Sequence, residues 1–357
     1  MRVAYFDLGA NKAYRLLLVI HHLAVDGVSW RILLEDLQRV YEQLSQGKEI
    51  QLPPKTTSFQ YWAKRLTEYA QSEALQQEWD YWLRVSCRQI AHIPVDFSGN
   101  DNTVARAGAV SVALSKEDTQ ALLQEVPKAY QTQINDVLLT ALVQAFARWT
   151  GEGSLLVDLE GHGREDIFDD VDLSRTVGWF TAIFPVLLDI GESASPGDAL
   201  KAIKEQLRSI PNRGIGYGVL RYLNDDETTA WRRQSQAEIR LNYLGQTDQP
   251  FQESSLFALA QEPDGPGRSL RGSRSHLLDI NGIVAGGQLR LDWTYSEAIH
   301  RRATIENLAQ SFMEALRSLI THCQSPAAGG YTPSDFQKAK ATQKDLDQLL
   351  AQINRGS

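Results

Sequence analysis

Two adjacent histidines, His21 and His22, are followed closely by Asp26 and Gly27. Imidazole exchanges protons near neutral pH, so the cluster is a candidate for acid–base catalysis. The cluster lies at the end of an apolar run over residues 14–21, and this run predicts a strand buried on both faces. Strand ends often present side chains to a cleft. Neighbouring strand residues point to opposite faces, so at most one histidine should face a given site. A lone histidine is more often a packed core residue, but two with Asp-Gly at this spacing favour catalysis.

A second cluster, Glu160 to Glu165, reads Glu-Gly-His-Gly-Arg-Glu and also follows a predicted strand. A carboxylate such as Glu160 can act as a general base if burial raises its pKa. The alternative is a charged loop whose side chains lie in solvent. The spacing does not match a phosphate-binding loop, because neither GxxxxGK nor GxGxxG is present.

A third cluster, residues 175–181, begins with an arginine and reads Arg-Thr-Val-Gly-Trp-Phe-Thr. The planar guanidinium of Arg175 suits a buried carboxylate partner. We expect that partner to be Asp26, in a pair that holds the histidine turn in place and takes no part in the chemistry.

The elements that must position these residues follow from hydrophobic periodicity. The pattern predicts a helix from Trp30 to Leu44 and one longer helix that opens at Ser58 and includes Trp82. Further strands are predicted near 107–114, 154–160, 183–190, 238–244, 276–284 and 288–295. Further helices are expected after Ser115 and near 135–149, 197–209 and 303–322, whereas Gly214, Gly216 and Gly218 indicate a loop.

This irregular alternation, with one hairpin, predicts an α/β protein of two α+β layers with mixed sheets. The predicted organisation is a partial N-terminal lobe (1–106), a C-terminal lobe (107–324) and a polar linker (325–357). The strand at 14–21 has little sequence before it to supply neighbours, so we expect either that later strands flank it or that an upstream segment of the first lobe is missing.

Composition limits the possible partners. The formal net charge is −8 over 357 residues, which argues against nucleic acid or an anionic membrane as the main partner. The two cysteines, Cys87 and Cys323, form neither a zinc motif nor a disulfide framework. We therefore expect no metal and a reducing, cytoplasmic setting.

The ordered motifs resemble a known family. His21-His22-x-x-x-Asp26-Gly27 resembles the HHxxxDG motif of the condensation-domain superfamily, whose members share the chloramphenicol acetyltransferase fold. Further runs resemble the epimerization domains of nonribosomal peptide synthetases in particular. These runs are Val28-Ser29-Trp30, 136–139, 160–165, 175–181, 211–218 and 242–246. The tail at 331–336 resembles the linker that follows such domains.

The resemblance implies two lobes with a tunnel that admits the phosphopantetheine arm of a peptidyl carrier protein. His22 and Glu160 would exchange the α-proton of an aminoacyl or peptidyl thioester. His21, Asn242 and Tyr243 would line the tunnel. Asp26, Gly27 and Arg175 would be architectural. The domain would bind no cofactor of its own, and its carrier and the other synthetase modules would lie in another region or chain.

Two other functions remain open. A condensing or acyl-transferring relative would share HHxxxDG and form an amide or ester bond, although it is not expected to carry both EGHGRE and NYLGQ. An inactive remnant that only binds a carrier protein is the other alternative, favoured by the short N-terminal region.

Overall fold

The computed structural model describes the chain except residues 11, 89, 100, 192–194, 225–236, 247–255, 259, 261, 263–264, 266, 327, 337–341 and 347–357, and the side chain of residue 87. The loop prediction at Asn100 and part of the predicted linker lie outside the described residues. Among the described residues, no helix combines the length and apolar character needed to cross a bilayer.

Among its described residues, the N-terminal part contains a small sheet and four α-helices. Strands β1 (Arg2–Phe6) and β2 (Arg15–Val19) pair antiparallel as a two-stranded sheet. The predicted strand at 14–21 is present, but it is not buried on both faces, since Val19 is 51% exposed. The helices that follow are α1 (Gly27–Ser45), α2 (Phe59–Tyr69), α3 (Glu73–Gln76) and α4 (Trp79–Cys87).

The single long helix expected after Ser58 is wrong, because the chain turns twice within it. Ser58 does cap α2, accepting a hydrogen bond from Tyr61 N. Ser72 then caps a new helix by accepting from Leu75 N. Glu78, which is 5% exposed, accepts hydrogen bonds from Trp82 Nε1 and Asn212 Nδ2. These local caps and the buried carboxylate divide the aromatic-rich stretch into three helices.

A six-stranded mixed sheet forms the C-terminal part, in the order β3-β8-β7-β6-β4-β5. Its strands are β3 (Ala107–Ala113), β4 (Ser154–Gly161), β5 (Ala182–Asp189), β6 (Ile239–Gln246), β7 (Leu278–Ala285) and β8 (Gln288–Ser296). Strand β6 is parallel to β4 and β7, and the other pairs are antiparallel. The predicted α/β class with a mixed sheet is confirmed.

Helices cover one face of this sheet and enclose the main core. They are α5 (Lys116–Gln124), α6 (Val126–Tyr130), α7 (Ile134–Thr150), α8 (Pro196–Arg208) and α10 (Arg302–Gln324). Helix α9 (Ile215–Tyr222) packs against β5 at the edge of the sheet. Leu138 of α7 and Phe312 of α10 are fully buried in one cluster with Leu291 and Trp293 of β8. Because strand residues alternate, the polar residues of β4, β6 and β7 are left on the opposite face.

The prediction of a loop at Gly214, Gly216 and Gly218 is wrong, because residues 215–222 form α9. Gly214 does end the preceding turn with a φ of 89°. Gly216 is helical, and a Cβ there would lie 2.0 Å from Glu78 Oε2. Glycine at 216 therefore allows α9 to lie close to Glu78. A prediction that reads each glycine as part of a loop does not anticipate this contact.

Residues 325–336, part of the predicted linker, include side chains that pack on the C-terminal part. Thr332 is fully buried, and the buried Lys204 Nζ lies 2.6 Å from Asp335 Oδ1.

Candidate active site

The histidine motif lies in a short turn directly after β2. His22 to Ala24 form one turn of 3₁₀ helix, and the backbone N–H of Leu23 donates to His21 Nδ1 at 3.1 Å. The imidazole of His21 is thus used to cap its own turn. The exposed ring of His22 packs against Trp179, with 5.2 Å between centroids. Among the described residues, the His22 ring has no hydrogen-bond partner, so the exposed ring is available for contact with a ligand.

Asp26 is the structural centre of this motif. It caps α1 by accepting from Ser29 N at 2.7 Å, and it accepts from Phe180 N at 3.2 Å. Its ion-pair partner is Arg164, whose Nη2 lies 3.1 Å from Asp26 Oδ1. Burial raises the pKa of Asp26, but the hydrogen bonds from Ser29 and the charge of Arg164 outweigh this and hold it below the ordinary value.

The expected Asp26–Arg175 pair is therefore wrong. Arg175 instead binds the exposed side of α1, with Nη2 2.5 Å from Asp36 Oδ1 and Nη1 3.3 Å from Glu35 Oε2. Arg164 takes the buried position, since its side chain is only 8% exposed. Its Nη1 also donates to the carbonyls of residues 173 and 176. Arg164 lies in the EGHGRE run, so its presence was visible in the sequence although its partner was not.

The loop after β4 passes very close to the 175–181 segment. Gly163 has a φ of 65°, and a Cβ there would lie 1.7 Å from the carbonyl oxygen of Phe180. Only glycine fits this backbone and this approach. The contact lets Arg164 reach Asp26, with its guanidinium 3.9 Å above the Phe180 ring. Gly163 thus serves the architecture of the site.

Glu160 lies near the end of β4, on the sheet face opposite the main core. Its side chain is 17% exposed. Arg240 Nη1 donates to Oε1 at 2.8 Å, and Asn242 Nδ2 donates to Oε2 at 2.7 Å. Both donors come from β6, two positions apart and hence on one face. The carboxylate of Glu160 is therefore fixed in orientation through both oxygens.

Arg240 extends this arrangement and was missed by the sequence reasoning. Its Nη2 lies 2.9 Å from Asp279 Oδ1, and Arg274 Nη2 donates to the other oxygen of Asp279 at 2.9 Å. The alternation of β6 was the available signal, because it places Arg240 on the same face as Asn242. The network links β4, β6 and β7 beneath Glu160.

Tyr243 does not follow Asn242 onto this face. Adjacent strand residues point to opposite sides, and the half-buried ring of Tyr243 packs against the main hydrophobic core. Burial raises the pKa of its hydroxyl. Asn242 contacts Glu160, whereas Tyr243 belongs to the core side of β6.

Comparisons with known proteins identify the family that the HHxxxDG motif resembles. The family model described as Condensation domain matches residues 1–342. One subunit of the linear gramicidin synthase of Brevibacillus parabrevis is 52% identical over 356 residues, which are 99% of this chain and 5% of that protein. Bacitracin synthase 2 of Bacillus licheniformis is 41% identical over 335 residues, or 94% of this chain and 13% of that protein. The chain thus spans a small fraction of these relatives.

Solved structures share the fold. The epimerization domain from the third module of tyrocidine synthetase B matches with a TM-score of 0.81 and 38% identity, covering 90% of this chain and 71% of that chain. The first condensation domain of the CDA synthetase matches with a TM-score of 0.57 and 17% identity, covering 92% and 67%. At that identity the second likeness shows the fold alone.

Proposed function

We propose that this chain, which belongs to the condensation-domain family, inverts the α-carbon of an aminoacyl or peptidyl thioester on the phosphopantetheine arm of a carrier protein. The reaction would serve nonribosomal peptide synthesis, since the similar gramicidin and bacitracin proteins are named as synthases. The 38% identity to a tyrocidine epimerization domain favours isomerisation over condensation.

The observation that carries the proposal is that one proposed acid–base group, Glu160, is held in a fixed orientation while the other, His22, is exposed to a ligand. The Glu160 carboxylate is anchored through both oxygens by Arg240 and Asn242. The imidazole of His22 is exposed and rests on Trp179. In this proposal, His22 belongs to a lobe of residues 1–106 and Glu160 to a lobe of residues 107–324, with the thioester entering a tunnel between them.

The chemistry requires a proton to leave Cα and another to arrive on the opposite face. One group, Glu160 or His22, takes the α-proton, and the electron pair moves onto the thioester oxygen to form an enolate. The other group donates a proton to the opposite face of Cα, which restores the thioester with inverted configuration. A fixed carboxylate suits this task because a general base must lie within hydrogen-bond reach of the proton it removes.

The partners follow from the same proposal. A peptidyl carrier protein domain would deliver the substrate, and neighbouring synthetase modules would supply and consume it. The arm would arrive with the carrier, so it is substrate and not a resident cofactor. A cytoplasmic setting fits this chemistry, because the free thiol arm of the carrier and the free thiol of Cys323 persist in a reducing compartment.

The test is deuterium exchange at Cα of an aminoacyl-phosphopantetheine carrier in D₂O. We expect exchange with scrambled configuration for the unaltered chain. His22→Ala and Glu160→Gln should each lower the exchange rate about 10²–10⁴-fold, the usual contribution of a general acid or base. His92→Ala and Asp292→Asn are matched controls, because His92 is 86% exposed and Asp292 lies on β8, remote from β4 in the sheet.

The remaining outcomes separate the alternatives. A folded chain that binds the carrier without exchange would contradict the epimerase proposal. If it then formed an amide between residues on two loaded carriers, a condensing function would replace it. Binding with neither reaction would leave a carrier-binding domain.

A further inference from the structure

A cavity of about 580 Å³ lies beside the proposed acid–base groups. Ile183 of β5 lines it and is the direct cross-strand partner of Glu160. Side chains of such a pair lie on the same face, with Cβ atoms about 4.5–5.5 Å apart. Trp179 also lines the cavity, and its ring packs against His22. The cavity therefore adjoins one proposed group through β5 and the other through Trp179.

The lining is mainly aromatic and aliphatic. It includes Phe59, Trp62, Trp179, Ile183 and Ile215. A volume of about 300–1,000 Å³ with apolar walls is typical of a small-molecule site. The cavity is thus large enough for one bulky side chain and chemically suited to an apolar one.

The charged groups of the lining already have partners. Asp158 Oδ2 lies 2.8 Å from His276 Nε2, and His276 Nδ1 lies 2.9 Å from Ser275 Oγ. Arg221 Nη1 donates to the hydroxyl of Tyr217. A basic substrate side chain would have to displace His276 from Asp158 or remain without a counter-ion, which is costly in an apolar pocket.

We propose that this cavity receives the side chain of the residue being epimerised and selects a bulky apolar one. The inference rests on the proposed function and deepens it by naming the substrate class. With the side chain in the cavity, the α-carbon stays at its mouth, between the strand that carries Glu160 and the ring that supports His22.

Gly218 provides a direct probe of this pocket. It lines the cavity from α9, and a Cβ built there meets no heavy atom within 4 Å. A side chain at 218 would therefore enter open space. Replacing a glycine inside a helix also removes an entropic cost, so Gly218→Ala and Gly218→Leu should both fold. Only the leucine variant removes much of the pocket volume.

The experiment measures binding of non-reactive aminoacyl-pantetheine amides carrying Phe, Leu or Ala, with pantetheine alone as reference. The unaltered chain should bind the Phe and Leu amides about 10- to 100-fold more tightly than the Ala amide, as expected for burying a large side chain. Gly218→Leu should lose about tenfold or more for Phe while the Ala amide is unchanged, and Gly218→Ala should stay close to the unaltered chain.

Equal affinity for all the amides, or an equal loss for Phe and Ala in Gly218→Leu, would overturn the pocket. Because the amides cannot react, the result is independent of turnover. Selective binding without α-proton exchange would reject the epimerase proposal alone, whereas exchange on every side chain with no effect of Gly218→Leu would reject the pocket alone.

Discussion

Arg164 Nη2 donates to both carboxylate oxygens of Asp26, at 3.1 and 3.2 Å. The pair joins the first residues of α1 to the loop that follows β4. The histidine turn lies on one side of this link and Glu160 lies a few residues before its other end. The ion pair therefore couples the two segments that carry the proposed acid–base groups.

Removing Arg164 should destabilise the chain far more than removing Arg175. Arg164→Ala leaves the buried Asp26 charge without its partner, which typically costs about 3–5 kcal/mol of unfolding free energy. Arg175 is 24% exposed and binds acidic residues at the surface of α1. Its replacement by alanine should cost about 1 kcal/mol or less. Urea unfolding measures both, and a larger loss for Arg175→Ala would contradict the assignment of the buried pair.

Asp26 should also contribute a defined pH dependence. Its pKa is lowered in the folded chain, so its contribution to stability is fully present above the ordinary value of about 3.9 and is lost as the pH falls through the folded value. The stability gap between the unaltered chain and Asp26→Asn should therefore be largest near neutral pH and close below about pH 4. Urea unfolding across this range measures the gap. When Arg164→Met is present in both chains, the difference in unfolding free energy caused by Asp26→Asn should be smaller. A difference that grows as the pH falls would contradict a lowered pKa of Asp26.

Local patterning predicted the six strands and most of the helices of the C-terminal part, because these elements carry apolar runs of the right period. Ser115 illustrates this, since a helix is expected directly after it and its side chain caps α5 by accepting from Asp118 N. The failures arose where a tertiary contact decides the backbone. Glu78 directly precedes α4, and its buried carboxylate accepts hydrogen bonds from Trp82 and Asn212. The same carboxylate lies against Gly216, where only a glycine leaves room for it.

The site was predicted less completely than the fold. The motifs indicated His22, Asp26 and Glu160. Which arginine pairs with Asp26, Arg164 or Arg175, depends on how the loop after β4 passes Phe180, and this contact cannot be read from neighbouring residues in the sequence. Arg240 could have been inferred from strand alternation once β4 and β6 were known to be neighbours. That neighbour relation is a long-range feature of the sheet.

Arg240 should act as a positioning residue for Glu160. Arg240→Ala removes one of the two donors that fix the carboxylate, so we expect kcat for α-proton exchange to fall about tenfold or more with little change in KM, as for loss of orientation at a reacting group. Arg240→Lys should recover part of the rate. Arg274→Ala is the control, because Arg274 also binds Asp279 but does not touch Glu160. Equal loss of exchange in Arg274→Ala would mean that Arg240 acts only through general stability.

Removing one partner of the ion pair between Lys204 and Asp335 should destabilise the chain more than removing both. The side chain of Lys204 is 1% exposed, that of Asp335 is 15% exposed, and Lys204 Nζ also donates to the carbonyl of Tyr130 at 2.7 Å. Asp335→Asn leaves a buried ammonium without its carboxylate and should cost about 3–5 kcal/mol of unfolding free energy. The double variant Lys204→Met/Asp335→Asn removes both charges and should recover most of that loss, because an apolar side chain of similar volume can replace a buried pair. Urea unfolding of the single and double variants checks this, and a double variant as unstable as Asp335→Asn would show that the charge on Lys204 is not the source of the cost.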